Sequence, residues 1–543
     1  MRKLNRALGT AAVIAVLALG STGCKDFLDV NTNPNAPTAT SANNYLPPMI
    51  WWLVTSEQYD GRFVGRYNQM WTVPGTASAS LGTWDRMGYD PGSDNAAELY
   101  RDVYWNLGIN LSNMISQSEA EKRWDLAGVG YVLRGWGWLK LTDMHGDIIV
   151  TDAFTPDQYE FPFDSQDSVY KVVFKMLDKG IEDLQRTDGI RDAAYIGQRD
   201  ALFNGDATKW LKYAYALKAM ALNQFSNKST YDPAAVIAAV DKSFGPGEDA
   251  LWTFAHSDPT ASNDNNFWGT ARQNLGSYRQ TSFIAGLMDG TQYSGAVDPR
   301  LSRMLSPDSL GTYHGLDISV GYVSSATRDR PWNFWGFYGT GVQANLTPGR
   351  YLFDDKVKFP VMTYALLQFI KAEAALRKGD QATARQAYLN GISSHIDFVN
   401  ARTAETGNQR KDTLSGGVIV PQLTQISAAE KAAFLANPSI APATITLSHI
   451  MGQKFIAQFG WSFLEAWLDQ RRYHYTDMDP VSGTQVFRGF KLPLVYYPDN
   501  NNKPAQRVRA RYNSDYVWNR NQLAKIGGLD LDYHTKLMWI TEK

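Results

Sequence analysis

PVMTYALLQFIKAEAALRKGDQATARQAYLNGISSHIDFV, residues 360–399, is the segment from which the architecture can be read. Met362, Ala365, Phe369, Ala372 and Leu376 recur at alternating steps of three and four, the spacing that lines up one face of an α-helix. Gly379 and Asp380 then supply a turn and a cap, and Ala384, Tyr388 and Gly391 mark the buried face of a second helix. Two helices joined so closely must fold back on one another.

This hairpin resembles a tetratricopeptide unit, in which small residues of one helix meet small residues of the next and an aromatic ring fills the gap, here as Ala384 and Tyr388. It departs from the repeat at Gln368 and Lys371, where large apolar side chains are usual, and no strict 34-residue period links it to the rest of the chain. The pattern therefore predicts irregular helix pairs. Asp94 to Gln117 and Trp124 to Met144 read as one pair, the second helix mixing Trp136, Trp138 and Tyr131 with small residues and stopping at His145-Gly146-Asp147. Asp167 to Leu184 and Ala207 to Phe225 read as another, with Trp210, Tyr213, Leu217 and Met220 at steps of 3, 4 and 3. Ser427-x-x-Glu430 is a capping box, and Leu447 to Tyr473 reads as one last helix with Phe455, Phe459, Phe463 and Trp467 at four-residue steps facing the core.

Between the helical blocks lie two long irregular stretches, about 245–275 and 306–353, and a shorter Gly/Ser/Thr-rich loop that carries Trp71 and Trp84. Loops of this length are functional or disordered. Disordered segments are poor in aromatics, whereas these hold Trp252, Phe267, Trp268, Trp332, Phe334, Trp335, Phe337 and Tyr338. The fold class is thus mainly α: irregular tetratricopeptide-like helix pairs form a scaffold into which a loop-rich ligand-binding region is inserted.

The start of the chain specifies its address. Arg2, Lys3 and Arg6 precede an uncharged run from Ala7 to Gly20, which is a secretory leader too short to span a bilayer. Ser21-Thr22-Gly23 then leads to Cys24, the only cysteine. Residues 1–23 read as a lipoprotein signal peptide and 24–48 as a lipidated cysteine with an extended Asn/Thr/Pro-rich tether, leaving 49–543 as the folded body. With 53 basic and 54 acidic side chains the net charge is −1, which gives no field for nucleic acid. Aromatic residues make up 13%, with 17 Trp and 28 Tyr, a load that puts some rings at the surface.

Scattered segments carry a resemblance. Cys24-Lys25-Asp26-Phe27-Leu28-Asp29-Val30-Asn31, His145-Gly146-Asp147-Ile148, Lys371-Ala372-Glu373-Ala374 with Gly379-Asp380, Gly460-Trp461 with Glu465-Ala466-Trp467-Leu468-Asp469-Gln470-Arg471-Arg472, and Leu492-Pro493-Leu494 stand in the order found in the SusD/RagB family of Bacteroidetes outer-membrane lipoproteins. The resemblance implies a surface-exposed protein, lipid-anchored at Cys24, that binds oligosaccharides, or in some members peptides. It also implies a partner, a SusC-like TonB-dependent transporter. The family's motif residues are structural, so the ligand contacts must be argued from this chain.

A pyranose has apolar C–H faces and a polar rim, so its site needs flat rings bordered by amides or guanidinium groups. Trp332, Asn333, Trp335 and Tyr338, with Trp268, Asn266, Arg272 and Trp84, supply both and form the expected site. A surface glycoside hydrolase would instead need two opposed carboxylates. Asp354-Asp355 and Asp477/Asp479 read better as loop and turn acids, and no nucleophile, zinc or phosphate-loop motif is present. No catalytic residue, metal or cofactor is expected. A repeat scaffold that binds only protein leaves the aromatic loops unexplained.

Overall fold

The computed structural model describes residues 40–74, 82–255, 265–318, 330–336, 350–405 and 424–543. Cys24, Phe337 and Tyr338 lie outside them. The first helix, α1 (Leu46–Tyr67), opens on Pro47 and Pro48, whose missing N–H groups cost nothing in a first turn. The pairs follow: α2 (Gly108–Ala120) with α3 (Trp124–His145), then α4 (Gln166–Gln185), α5 (Ala207–Gln224) and α6 (Pro233–Asp241), each packed on its predecessor. Glycines set the closeness of α3 to α4, since a Cβ on Gly128 or Gly135 would stand 2.8 Å from Leu184 or Leu177. Helix α3 ends where the sequence placed its stop, with Gly146 at φ +84°.

The 360–399 hairpin is α7 (Tyr364–Arg377) and α8 (Gln381–Glu405). Gly379 turns at φ +83°, and Asp380 Oδ1 accepts the Thr383 N–H at 3.0 Å. Ala384 and Tyr388 are fully buried, and Gly391 lies under the Phe369 ring, which a Cβ would meet at 2.8 Å. The two departures from the repeat have partners: Gln368 accepts from Asn390, and Lys371 pairs with Asp241 of α6 at 2.5 Å. The capping box of Ser427 and Glu430 is formed, opening the helix Ala428–Ala436.

One expectation is corrected. Leu447 to Tyr473 is two helices, α9 (Leu447–Gln458) and α10 (Phe463–Arg472). Gly460, at φ +85°, turns the chain between them. Phe455, Phe459, Phe463 and Trp467 are all buried on both sides of the break, so an unbroken four-residue rhythm runs across a broken helix.

Strands are short and local. β1 (Trp71–Thr72) pairs antiparallel with β3 (Arg279–Gln280), and β2 (Ala250–Thr253) with β4 (Lys358–Met362), Trp252 standing opposite Phe359. The second pair ties the loop-rich region to the start of α7. No helix of the described residues is long and apolar enough to cross a membrane.

At the centre, α5, α7, α9 and α10 meet in a buried ionic cluster. The Glu373 carboxylate accepts from Arg472 at 2.7 and 3.1 Å, from Asn223 at 2.9 Å and from the Tyr473 hydroxyl at 2.6 Å. Lys454 donates to Asp469 at 2.9 Å and lies 3.6 Å from Glu465, which also accepts from Gln224 at 3.0 Å. Burial alone would push the Glu373 carboxyl up; Arg472, Lys454 and Arg377 outweigh it and hold the group below the ordinary carboxylate range. A carboxyl depressed in this way stabilises the fold in full above its unfolded value of about 4.3, and that contribution is lost progressively as pH falls from there through the lower folded value. Glu373→Gln should cost about 3–5 kcal/mol near neutrality, because it leaves Arg472 and Lys454 short of a counter-charge. Urea unfolding measured from about pH 7 down to about pH 3 should show the gap from wild type narrowing in acid. Equal stability at neutral pH would refute the role of the cluster.

Candidate functional site

The expected platform lies mostly inside the protein. Trp332, Asn333, Trp335, Trp268, Asn266 and Trp84 are all buried. Trp335 Nε1 donates to the Trp268 carbonyl at 2.9 Å, and Trp84 Nε1 to Asp90 at 2.7 Å. The Trp268 ring stands edge-on to Trp71 at 5.3 Å and to Phe463 at 5.6 Å, and Phe334 stacks on Phe353 at 4.3 Å. Asn266 donates to the carbonyls of Leu352 and Asp354 at 2.7 and 2.8 Å, and Asn333 Oδ1 accepts the Trp335 N–H at 3.1 Å. Buried in this way they hold the irregular segments against the helices, Trp84 against Phe63 and Tyr67 of α1 and Trp268 against Phe463 of α10. This revises the assignment of those six residues from ligand contacts to packing.

Arg272 is the exception. It lines an open cleft of about 580 Å³ between α1, β2 and residues 265–272. Helix α1 turns Trp51, Trp52, Thr55 and Tyr59 toward it at helical spacing, while strand β2 contributes Trp252 and the loop contributes Phe267. These five rings are only partly buried. Trp51 and Trp252 meet edge to face at 6.1 Å, Tyr59 and Phe267 lie 6.0 Å apart, and the Arg272 guanidinium sits 5.8 Å above the Phe267 ring. The Gln58 amide donates to Asn266 at 3.1 Å, but its buried oxygen has no hydrogen-bond partner among the described residues. An unmet acceptor of this kind costs about 1–3 kcal/mol unless something donates to it.

The α1 rings were not among the site residues expected from the sequence, and only the pairing of β2 with β4 brings Trp252 to Trp51 of α1. The burial pattern of α1 held a usable signal: Ser56 and Asp60 face inward, Ser56 donating to Asp102 at 2.6 Å, which leaves Trp52, Thr55 and Tyr59 for the outer flank.

The acids weighed for hydrolysis hold loops. Asp355 is buried and accepts from the Thr270 hydroxyl at 2.7 Å and the Ala271 N–H at 2.8 Å. Burial pushes Asp354 up to about 6, and its carboxylate caps the Lys356 N–H at 3.0 Å. Asp479 accepts the Ser448 N–H at 2.9 Å, and Asp477 pairs with His474 at 2.8 Å. Among the described residues no group of three or more His, Cys, Asp or Glu is placed to hold a metal ion.

The chain thus combines a mainly helical scaffold of irregular tetratricopeptide-like pairs with a partly exposed aromatic cleft. Residues 34–493 match the SusD-like family described as "Starch-binding associating with outer membrane", and the chain belongs to that family. Its fold is shared by a SusD/RagB family protein from Bacteroides thetaiotaomicron (19% identity, TM-score 0.64, 93% of this chain and 99% of that one). It is shared too by a SusD homologue from Bacteroides fragilis (16%, 0.67, 93% and 100%). A third such structure is a chitin-binding SusD homologue from Flavobacterium johnsoniae (17%, 0.63, 92% and 98%). No protein of curated function matches the sequence.

If Trp335 is a packing residue, Trp335→Ala should lower folding stability by about 3–5 kcal/mol, as large-to-small changes of buried rings do. Chemical denaturation reads this directly. A variant as stable as wild type would return the indole to the surface.

Proposed function

We propose that this chain is a cell-surface lipoprotein, anchored through lipid on Cys24, that binds oligosaccharide nutrients in the α1 cleft and delivers them to a SusC-like TonB-dependent transporter. The observation that carries the reading is the cleft lining: Trp51, Trp52, Tyr59, Trp252 and Phe267 offer faces for pyranose rings, beside Arg272 for hydroxyls. The family description and the chitin-binding relative support glycan over peptide as the ligand class. With two or three stacking rings at about 1 kcal/mol each beyond area burial, affinity should fall between roughly millimolar and micromolar. Such binding permits release. We assign no catalytic role, because the candidate acids are committed to loop N–H and hydroxyl groups.

Calorimetric titration with maltohexaose and with chitohexaose tests the site. Trp51→Ala and Arg272→Ala, both folded, should each weaken binding about tenfold, near 1.4 kcal/mol. Wild-type affinity in both variants would sink the cleft as the site, and binding of short peptides with no glycan bound would overturn the ligand class.

The anchor has its own test. Cys24→Ala should leave the protein uncleaved or soluble and absent from the outer-membrane fraction, since a chain anchored only by acyl groups loses its hold with them. An alanine variant retained in that membrane would refute lipidation at Cys24.

A further inference from the structure

The most exposed large rings of the described residues are elsewhere. Trp105, Tyr159 and Trp518 are 79%, 84% and 76% exposed, and they line one cavity of about 620 Å³, within the roughly 300–1,000 Å³ of ligand pockets. We propose that this cavity is a second carbohydrate-binding surface, independent of the α1 cleft, in which Trp105, Tyr159 and Trp518 stack on sugar rings. It takes from the reading above only the class of ligand.

Three observations carry it. The walls are built from three segments distant in sequence and fixed to one another. Tyr104 donates its hydroxyl to the Ile149 carbonyl at 2.7 Å, and Asn519 exchanges hydrogen bonds with the Phe161 backbone at 2.9 Å each way. The cavity is therefore formed without a ligand. Next, residues Asp102–Leu107 and Tyr512–Tyr516 are π-helical, the two such segments among the described residues, and both line this cavity. π-Helical turns are rare, well under 1% of residues, and are frequent at functional sites. Here the first of them projects Trp105 outward while Val103 and Leu107 stay in the core.

The third observation is the chemistry of the lining. Its exposed apolar side chains are Trp and Tyr rings, and of its two aliphatic members Ile149 is buried and Ala153 partly so, whereas a protein groove or acyl-chain site would present exposed Leu, Ile or Val. The three charged side chains of the lining are held within the protein: Arg511 pairs with Asp94 at 2.6 Å, Arg101 with Glu98 at 3.4 Å, and Asp515 is buried and accepts from the Ser514 hydroxyl at 3.1 Å. A lining with its charges met offers little to an ionic ligand, while Arg101 and Asn513 at its edge can still hydrogen-bond hydroxyls. Flat rings, a neutral field and a polar edge describe a neutral glycan.

Affinity electrophoresis of the mature protein through gels containing soluble starch or glycol chitin tests this. The proteins compared are wild type, Trp105→Ala/Trp518→Ala, Tyr159→Ala, Trp51→Ala/Arg272→Ala, and the quadruple variant. The three altered rings are solvent-exposed, so thermal melts of their variants should match wild type. Expected are at least a threefold loss of apparent affinity in Trp105→Ala/Trp518→Ala, residual binding in Trp51→Ala/Arg272→Ala, and none in the quadruple variant. Unchanged migration of both Trp105→Ala/Trp518→Ala and Tyr159→Ala would overturn the second surface and leave the cleft standing. Loss confined to those two would support it and overturn the cleft. No retardation of wild type in either gel would overturn both.

Discussion

Three acids and three bases buried at the crossing of four helices set the terms for the rest of this molecule. Glu373, Glu465 and Asp469 face Arg377, Lys454 and Arg472 with the side chains of all but Arg377 shut off from solvent. Charges taken out of water this far are tolerated when opposite charges and hydrogen bonds offset their desolvation, and removing one leaves its partners stranded. The cluster adds little net stability compared with an apolar core of the same volume, but it rejects misaligned packings of α5, α7, α9 and α10. We read it as a device for specificity of register.

That constraint explains why the family segments sit where they do. Lys371-Ala372-Glu373-Ala374 and Glu465 to Arg472 belong to helices far apart in sequence, and the cluster is where they meet. Ala372 and Ala374 are fully buried beside Glu373, so the backbone of α7 can approach closely enough for its carboxylate to reach Arg472. His145 lies in the same layer of purpose: its Nδ1 bonds the Val508 carbonyl at 3.1 Å and ties α3 to the C-terminal segment, while burial pushes its pKa down to about 4 and keeps the ring neutral.

Helices, caps and turns were legible in the sequence because each follows from local chemistry. The 3-4 spacing from Met362 to Leu376, Gly146 after α3, Gly379-Asp380 and the Ser427/Glu430 box all act within a few residues of themselves. The break at Gly460 was not, because flanking phenylalanines keep the same rhythm through it. Exposure of the loop rings was the harder matter. Trp268 and Phe334 sit in segments with neither a helical nor a strand period, so how each ring is covered depends on Trp71, Phe353 and Phe463, all supplied from elsewhere. Trp105 could have been found: Leu99, Val103, Leu107 and Leu111 form a buried spine at four-residue steps, and Trp105 falls between them on the opposite side.

The two fates of aromatic residues here follow from one physical difference. A ring whose N–H is satisfied as it is buried, as Trp335 donates to the Trp268 carbonyl, gains from being enclosed, since its area leaves water at no polar cost. A ring fixed on a rigid wall with one face uncovered keeps that area in reserve for a ligand. The buried rings hold the irregular segments still, and stillness is what leaves Trp51, Trp252 and Phe267 at fixed separations around the cleft. Binding there need not order a loop, so little of the stacking energy is spent on conformational entropy. In the proposed site the same rigidity limits affinity, since a wall that stacks on one face of a sugar ring leaves the other face in water.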